Sequence, residues 1–447
     1  MENSNIGFTS KENFIYNKSF GYYAIPFIIN KNKAFIKHIN SIISHSENDV
    51  LADRERFKSC RYVFSYIKEI YKSNDFYRID PDILLNKMGD KSLIDKLFPF
   101  ESIQEKKRFP ATLDEISILI FGKTKGYLLF KVNYNQMTLE QIETFTYYFK
   151  RIANSTKNNS TFAQLCCFIL GVNDFTHFKT SKNNLTTPFY YLSFPETFVC
   201  DTLQLVCHKI EDSNKNRIAH LVCLGRGYGN PQNTTDDYVQ NSNYDMQFSP
   251  KLNQTWIGSP NTLTCLLESE DFSTKFLTTN IENDYLCLFL TLQNQRHTLL
   301  SLTTDMVTFK NNPRKLLKIQ EEVNSFKLSE SFKTVSNEYS YQNIYEQMYN
   351  ILDIDNLISD ISDISTNAAE QKEKNISKLF KIFTLAASVE TLYNIFSVLV
   401  PLIVSYIETK EMPENFFTHI GTLSGCLLSI ILLSIFFILI PKITKRK

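Results

Sequence analysis

The stretch Lys378–Val404, KLFKIFTLAASVETLYNIFSVLVPLIV, followed at Gly421–Ile440 by GTLSGCLLSIILLSIFFILI, decides how the rest of the chain reads. From Phe417 to Ile440 there is no Asp, Glu, Lys or Arg, and from Ile382 to Ile407 there is only Glu390. A hydrocarbon core of ~30 Å is crossed by about 20 helical residues, so each run is long enough to span. The expectation is a hairpin of two membrane helices, residues 382–407 and 416–440, joined by a short turn over 408–415 (ETKEMPEN) and closed by a basic tail, 441–447. Lys372, Lys374, Lys378 and Lys381 precede the first run, and Lys442, Lys445, Arg446 and Lys447 follow the second. Positive flanks stay inside. The chain is therefore expected in the inner (cytoplasmic) membrane as a multi-pass protein with both termini cytoplasmic.

The two runs differ in character. The second is uniformly apolar, with His419 its sole ionisable residue, as a lipid-facing helix would be. In the first, Ala387, Glu390, Thr391, Asn394, Ser397, Pro401 and Ser405 recur at steps of three and four. On a helical wheel they occupy an arc of about 120°. Such a stripe either lines water, as a pore formed by several copies of the helix, or packs small residues against a neighbouring helix. Glu390 favours the pore, because an acid at that depth needs water or a partner, and the second run offers none.

Upstream of the membrane runs, residues 314–400 contain neither Gly nor Pro. Ile344, Met348, Ile351, Leu352, Ile358, Ile361 and Ile364 fall at three- and four-residue steps. That spacing predicts stalk helices over 311–381 and, in its simplest form, one unbroken rod from about Ser340 into the first membrane run.

Residues 1–310 read as a cytoplasmic α/β (α+β) domain with a sub-boundary near 153–160 (ANSTKNNS). Strands are expected at Tyr22–Ile29, Ile116–Phe121, Tyr127–Tyr134, Ile218–Leu224, Leu263–Leu267 and Lys275–Thr279. Helical spacing marks Ala34–Ile43, Tyr62–Tyr71, Leu139–Ile152 and Tyr285–Leu302, a further helix begins near Asp80-Pro81, and residues 229–255 read as a polar loop. The 36 Phe and 23 Tyr are enough for a large packed core. A net charge of +1 gives no bulk electrostatic reason for direct nucleic-acid binding, and none is expected. The nine Cys are scattered with no CxxC, which fits free thiols in a reducing cytoplasm and predicts no metal site. The N-terminal MENSNIGFTSKENF has neither the basic nor the apolar region of a signal peptide.

Three places in the soluble part hold residue types that suit a nucleotide. Leu224–Gly229 (LGRGYG) combines backbone-exposing glycines around Gly227 with Arg226 for phosphate and Tyr228 for a base; it reads either as a ligand loop or as a structural turn. Trp256, the single Trp, either stacks on a base or packs in the core. Arg296 and His297, midway along an apolar helix, are either paired internally or face an anionic ligand. No GxSxG, HExxH or paired acid constellation is present, so no catalytic residue is expected and the chain does not read as an enzyme.

The order of an α/β domain, a stalk helix, a proline-bearing span, a short turn, a second span and a basic tail resembles the CorA-like two-transmembrane cation channel superfamily. That resemblance implies a homo-oligomer, a pentamer in the family, with the first span around a central pore. The family's Gly-Met-Asn filter is missing: Ser405-Tyr406-Ile407-Glu408 and Thr409-Lys410-Glu411-Met412 stand there. A branch without a clear filter serves type III CRISPR antiviral defence as a membrane effector. The stretches IFGKTKGYLLFKVNY, LGRGYGN, LNQTWIGS and YLCLFLTLQNQRHTLL are similar to it. For that branch the implied ligand is a conjugate of S-adenosylmethionine with AMP, or another nucleotide messenger, and no other cofactor. Two rival readings stay open. One is a divalent-cation transporter regulated at Asp353, Asp355, Asp360 or Asp363; the other is a membrane-anchored nucleotide-cleaving enzyme.

Overall fold

A computed structural model describes residues 19–29, 32–43, 56–72, 75–79, 81, 84, 111–121, 125–134, 137, 139–150, 161–171, 192–193, 200–207, 246–251, 254–267, 272–309, 312–329, 331–409, 421 and 425. They fall into two compact units. The first holds the chain to Thr308 together with Glu321–Ser362; the second holds Phe309–Gln320 and the chain from Asp363.

The first unit is built on β1 (Phe20–Ile29), whose sequence FGYYAIPFII is buried along nearly its whole length. A strand that alternates between two apolar faces must be covered on both. On one side β1 pairs antiparallel with β4 (Lys125–Asn133), which pairs with β3 (Thr112–Phe121) and then β2 (Asp75–Ile79). On the other it pairs with β6 (Asp201–Cys207), and near its end with the short β5 (Leu192–Ser193). Pro26 falls between those two partners, where a residue without an N–H is tolerated. β6 then runs parallel to β9 (Thr262–Leu267), which is followed by β8 (Gln254–Ser259) and β7 (Met246–Lys251), both antiparallel. The order is β2-β3-β4-β1-β6-β9-β8-β7.

Helices cover both faces. α1 (Asn32–Ile43), α3 (Leu139–Lys150) and α4 (Thr161–Leu170) place Phe35, Ile39, Phe145, Phe149, Leu165 and Ile169 against Tyr23, Ile25 and Phe27 of β1. Tyr23 closes this face with a ring contact to Phe149 at 4.0 Å and a hydrogen bond to the Tyr134 hydroxyl at 2.6 Å. α2 (Ser65–Lys72) and α6 (Leu286–Thr308) lie on the opposite face, where the Tyr71 hydroxyl donates to the Cys287 carbonyl at 2.7 Å. Gly126 sits across from Phe27 in the β1–β4 ladder; a Cβ there would meet the Phe27 ring and come within 2.8 Å of the Leu119 carbonyl oxygen.

Several expectations need correction. Lys275–Thr279 is not a strand but part of α5 (Phe272–Asn280), because Leu277 and Ile281, four apart, are the buried positions while Phe276 is exposed. The polar loop expected over 229–255 contains β7 and the start of β8, which pair antiparallel with each other, β8 then pairing with β9 in a second hairpin. The rod expected from Ser340 is broken. After α7 (Pro313–Ser329), α8 (Tyr339–Ile351) folds into the first unit with Tyr341, Ile344, Tyr345, Met348 and Tyr349 buried. The backbone then turns at Asp353, where φ is 54°, a left-handed value that Asp accepts better than most residues. The Asp353 carbonyl accepts the Leu357 N–H at 3.0 Å, and this starts α9 (Ile354–Thr409).

α9 runs for 56 residues without interruption, through Pro401. Its segment Ser377–Glu408, 32 residues, is long and apolar enough to cross a membrane, and none of its apolar window is buried by protein. The continuity expected between stalk helix and first span is therefore present from Ile354. The expected turn 408–415 and second span 416–440 lie outside the described residues, apart from Glu408 and Thr409 and the helical Gly421 and Gly425.

Candidate ligand site and membrane helix

Midway along α6 the sequence breaks its apolar run with Gln293, Asn294, Gln295, Arg296, His297 and Thr298, nearly all of it buried. Polar side chains inside a fold are stable only when they are paired. Here the pairing comes from two strands distant in sequence. Asp201, the first residue of β6, is fully buried, and its Oδ2 accepts the His297 Nε2–H at 2.7 Å while Oδ1 accepts from Asn261 Nδ2 at 3.1 Å. Asn261 and Pro260 form the two-residue turn between β8 and β9. The Pro260 carbonyl accepts from Gln293 Nε2 at 3.0 Å and from Arg296 Nη1 at 2.8 Å. Residues 293, 296 and 297 share a helix face, so one stripe of α6 grips the β8–β9 turn and the head of β6 together.

The opposite wall is β4. Lys125 Nζ donates to Thr298 Oγ1 at 2.6 Å, and the Tyr127 ring lies 6.1 Å from the His297 ring. Burial pushes the Tyr127 hydroxyl well up, with the Asp201 carboxylate adding to the rise and Arg296 opposing it. Burial also pulls the Arg296 guanidinium down, against the stabilising charge of Asp201. The Tyr127 hydroxyl, Gln293 Oε1 and His297 Nδ1 are buried with no hydrogen-bond partner among the described residues.

Beside this cluster, α5 passes into α6 through a π-helical turn, Ile281–Tyr285. The wide turn directs Asp284 and Tyr285 inward together. Asp284 Oδ1 accepts the Tyr62 N–H at 2.9 Å, and burial raises its carboxyl above the usual range despite backbone bonds from Tyr62, Arg61 and Val63. Tyr285 is the middle of an aromatic stack. Trp256 lies 4.4 Å from it on one side and Tyr341 lies 4.3 Å away on the other, with Tyr62 a further 5.0 Å from Tyr341. The α8 residue Tyr345 also reaches the cluster, its hydroxyl 3.3 Å from Gln295 Oε1.

Of the residues singled out from sequence, the structure brings Arg296 and His297 into this cluster and gives both internal partners. Trp256 is fully buried in the aromatic stack, so core packing, and not base stacking, fits its surroundings. Arg226, Gly227 and Tyr228 lie outside the described residues. Asp201, Tyr127 and Gln293 were not legible from sequence; the one available signal was an acid at the head of the apolar run LQLVC. Among the described residues no three His, Cys, Asp or Glu side chains gather as a metal ligand set. Of the stalk acids, Asp355 is taken up by Lys333 Nζ at 2.7 Å and the Tyr349 hydroxyl at 2.9 Å, and the lysine hydrogen bond lowers its pKa.

In the second unit, Glu390, Asn394, Ser397 and Pro401 are exposed on α9 and Ser405 is half-exposed. Ala387 and Thr391 belong to the same helix. Leu385, Val389, Leu392, Phe396, Leu399 and Ile403 are exposed as well, so apolar and polar residues alike lack protein cover.

Comparison with protein-family models, with curated proteins and with solved structures finds no match.

Proposed function

We propose that this chain is a membrane channel effector gated by a nucleotide second messenger, of the kind that serves type III CRISPR antiviral defence. The observation that supports it most is the unbroken α9, which starts at the Asp353 turn beside the first unit's α8 and carries a membrane-length segment at Ser377–Glu408 on one helix. A ligand that shifts the first unit would act on the head of that helix directly. The resemblance to the CorA-like superfamily supplies the rest of the reading: a second span after residue 415, a homopentamer in the inner membrane, and a pore lined by Ala387, Glu390, Thr391, Asn394, Ser397, Pro401 and Ser405. The messenger in this reading is the S-adenosylmethionine–AMP conjugate. The role is gating, with no chemistry performed on the ligand. A divalent-cation transporter regulated by stalk acids draws less support, because Asp355 already has Lys333 and Tyr349 as partners.

Ion flux through liposomes holding the full chain tests the proposal. Flux that rises on adding the conjugate, and that falls when Glu390→Gln removes the acidic ring, is the expected result. A leak indifferent to the conjugate at saturation would overturn it.

A further inference from the structure

The head of the membrane-length segment of α9 has a face of its own. Lys374, Lys378 and Lys381 follow one another at steps of four and three, and Leu385, Val389, Leu392, Phe396, Leu399 and Ile403 continue the same steps. At about 100° per residue the whole series stays within an arc of about 80°, with Glu390, Asn394 and Pro401 on the reverse side. One ridge of the helix therefore begins with lysines and then turns apolar. Lys378, Lys381 and the six apolar residues are exposed. Glu370 stands four residues before Lys374, an ion-pairing step on a helix, but neither Lys378 nor Lys381 has an acid within four residues.

Directly beyond Lys381, Ile382, Leu385, Val389, Glu390 and Tyr393 line an open groove of about 530 Å³. Glu390 closes its edge toward the polar stripe, and the other four residues make it apolar. From Ile382 to Tyr393 the groove extends ~17 Å along the helix at 1.5 Å per residue. Half of a ~30 Å hydrocarbon core is ~15 Å, so the groove has the depth of one leaflet. Basic residues beside a membrane helix are attracted to anionic headgroups, each adding to the effect, whereas a zwitterionic headgroup offers them no net charge. We infer that this face of α9 binds an anionic phospholipid of the cytoplasmic leaflet, with Lys378 and Lys381 at its phosphate and one acyl chain along Ile382, Leu385, Val389 and Tyr393. The lipid holds the helix at a fixed depth where it leaves the cytoplasm. The inference rests on the membrane insertion of α9 in the proposed function, and not on the nucleotide.

The test uses full-length protein in detergent micelles, with dioleoyl phosphatidylglycerol and dioleoyl phosphatidylcholine as probes and native mass spectrometry of retained lipid as the readout. The two lipids share their chains and differ in headgroup charge. Phosphatidylglycerol is expected to be retained at least about tenfold more tightly. Changing both Lys378→Gln and Lys381→Gln is expected to weaken its retention about thirtyfold, while Lys378→Arg with Lys381→Arg keeps it. Val389→Trp fills the groove, leaves both lysines, and is expected to weaken retention about tenfold. In lipid-free micelles the thermal midpoint of each variant should match the parent's, because these positions are exposed. Glycerol 1-phosphate, a headgroup without chains, is expected not to displace the lipid. Equal retention of the two lipids, or undiminished retention in the Gln or Trp variants, would overturn the site and give the face to a neighbouring helix. Displacement by glycerol 1-phosphate would overturn it in favour of a free-phosphate site. If the conjugate opens the channel while the two lipids are retained equally, the lipid site falls and the channel stands. If phosphatidylglycerol is retained as expected but the conjugate drives no flux, the lipid site stands and the channel reading falls.

Discussion

His297 Nε2 lies 2.7 Å from Asp201 Oδ2, with the carboxylate wholly buried and the two residues 96 positions apart. The bond ties α6 to the head of β6, and through Asn261 it also holds the β8–β9 turn. Removing one partner of a buried pair leaves a charge or acceptor stranded, which costs about 3–5 kcal/mol. His297→Ala is therefore expected to lower stability by about 3 kcal/mol, the low end because Asn261 still holds Oδ1. Trp256, the single Trp and fully buried in this unit, reports the unfolding by fluorescence.

Asp284 sets a pH dependence. Its folded-state pKa is raised, chiefly by burial. The folded protein then holds this proton more tightly than the unfolded chain, so the term favours folding at low pH and weakens it as pH rises from the ordinary value of 3.8 through the raised one. Asp284→Asn keeps an acceptor for the Tyr62 N–H and removes the titration. Urea unfolding midpoints across that window should fall less steeply with pH in the Asn variant than in the parent.

Asp353 governs the break between α8 and α9. A non-glycine residue in left-handed backbone costs about 1–2 kcal/mol, and Asp tolerates it through local hydrogen bonding. Its Oδ1 accepts from Asn356 Nδ2 at 2.6 Å. Asp353→Gly should be within about 0.5 kcal/mol of the parent, since glycine relieves the backbone while the bond to Asn356 is lost. Asp353→Ala loses that bond and keeps the strain, and should cost about 1–2 kcal/mol. Thermal midpoints of the pair check this, and equal values for Gly and Ala would rule out the strain.

Gly126 is required by its neighbour across the ladder. A Cβ at this position collides with the Phe27 ring and the Leu119 carbonyl oxygen. Gly126→Ala should cost about 1–3 kcal/mol by overpacking. Phe27→Leu in the same chain should recover part of the loss, because only the side-chain clash can yield. Denaturant unfolding of the single and double variants measures the recovery.

The sequence by itself determined what short-range pattern controls. The apolar segment of α9, the β3–β4 hairpin, the amphipathic α3 and the helix bearing Arg296 and His297 all follow from periodicity within a dozen or so residues. The α/β class followed from their alternation. What the tertiary structure decided is everything whose cause lies far along the chain. β6 and β9 run parallel, a pairing that requires a long crossover and leaves no local trace. β7 is hidden for a different reason: MQFSPK carries too little apolar content to mark a strand and is held by its hairpin partner β8. The Ser340 rod failed through tertiary packing: residues 340–351 have good helical spacing, but the aromatic face of Tyr341, Tyr345 and Tyr349 buries in the first unit and draws α8 away from α9. The candidate site is the extreme case. Arg296 and His297 stood out as polar residues in an apolar helix, whereas Asp201, Tyr127 and Gln293 acquire meaning only when strand order carries β4 and β6 to the same stretch of α6. Polar atoms are satisfied by whatever the fold brings near them, and no spacing in the sequence encodes that.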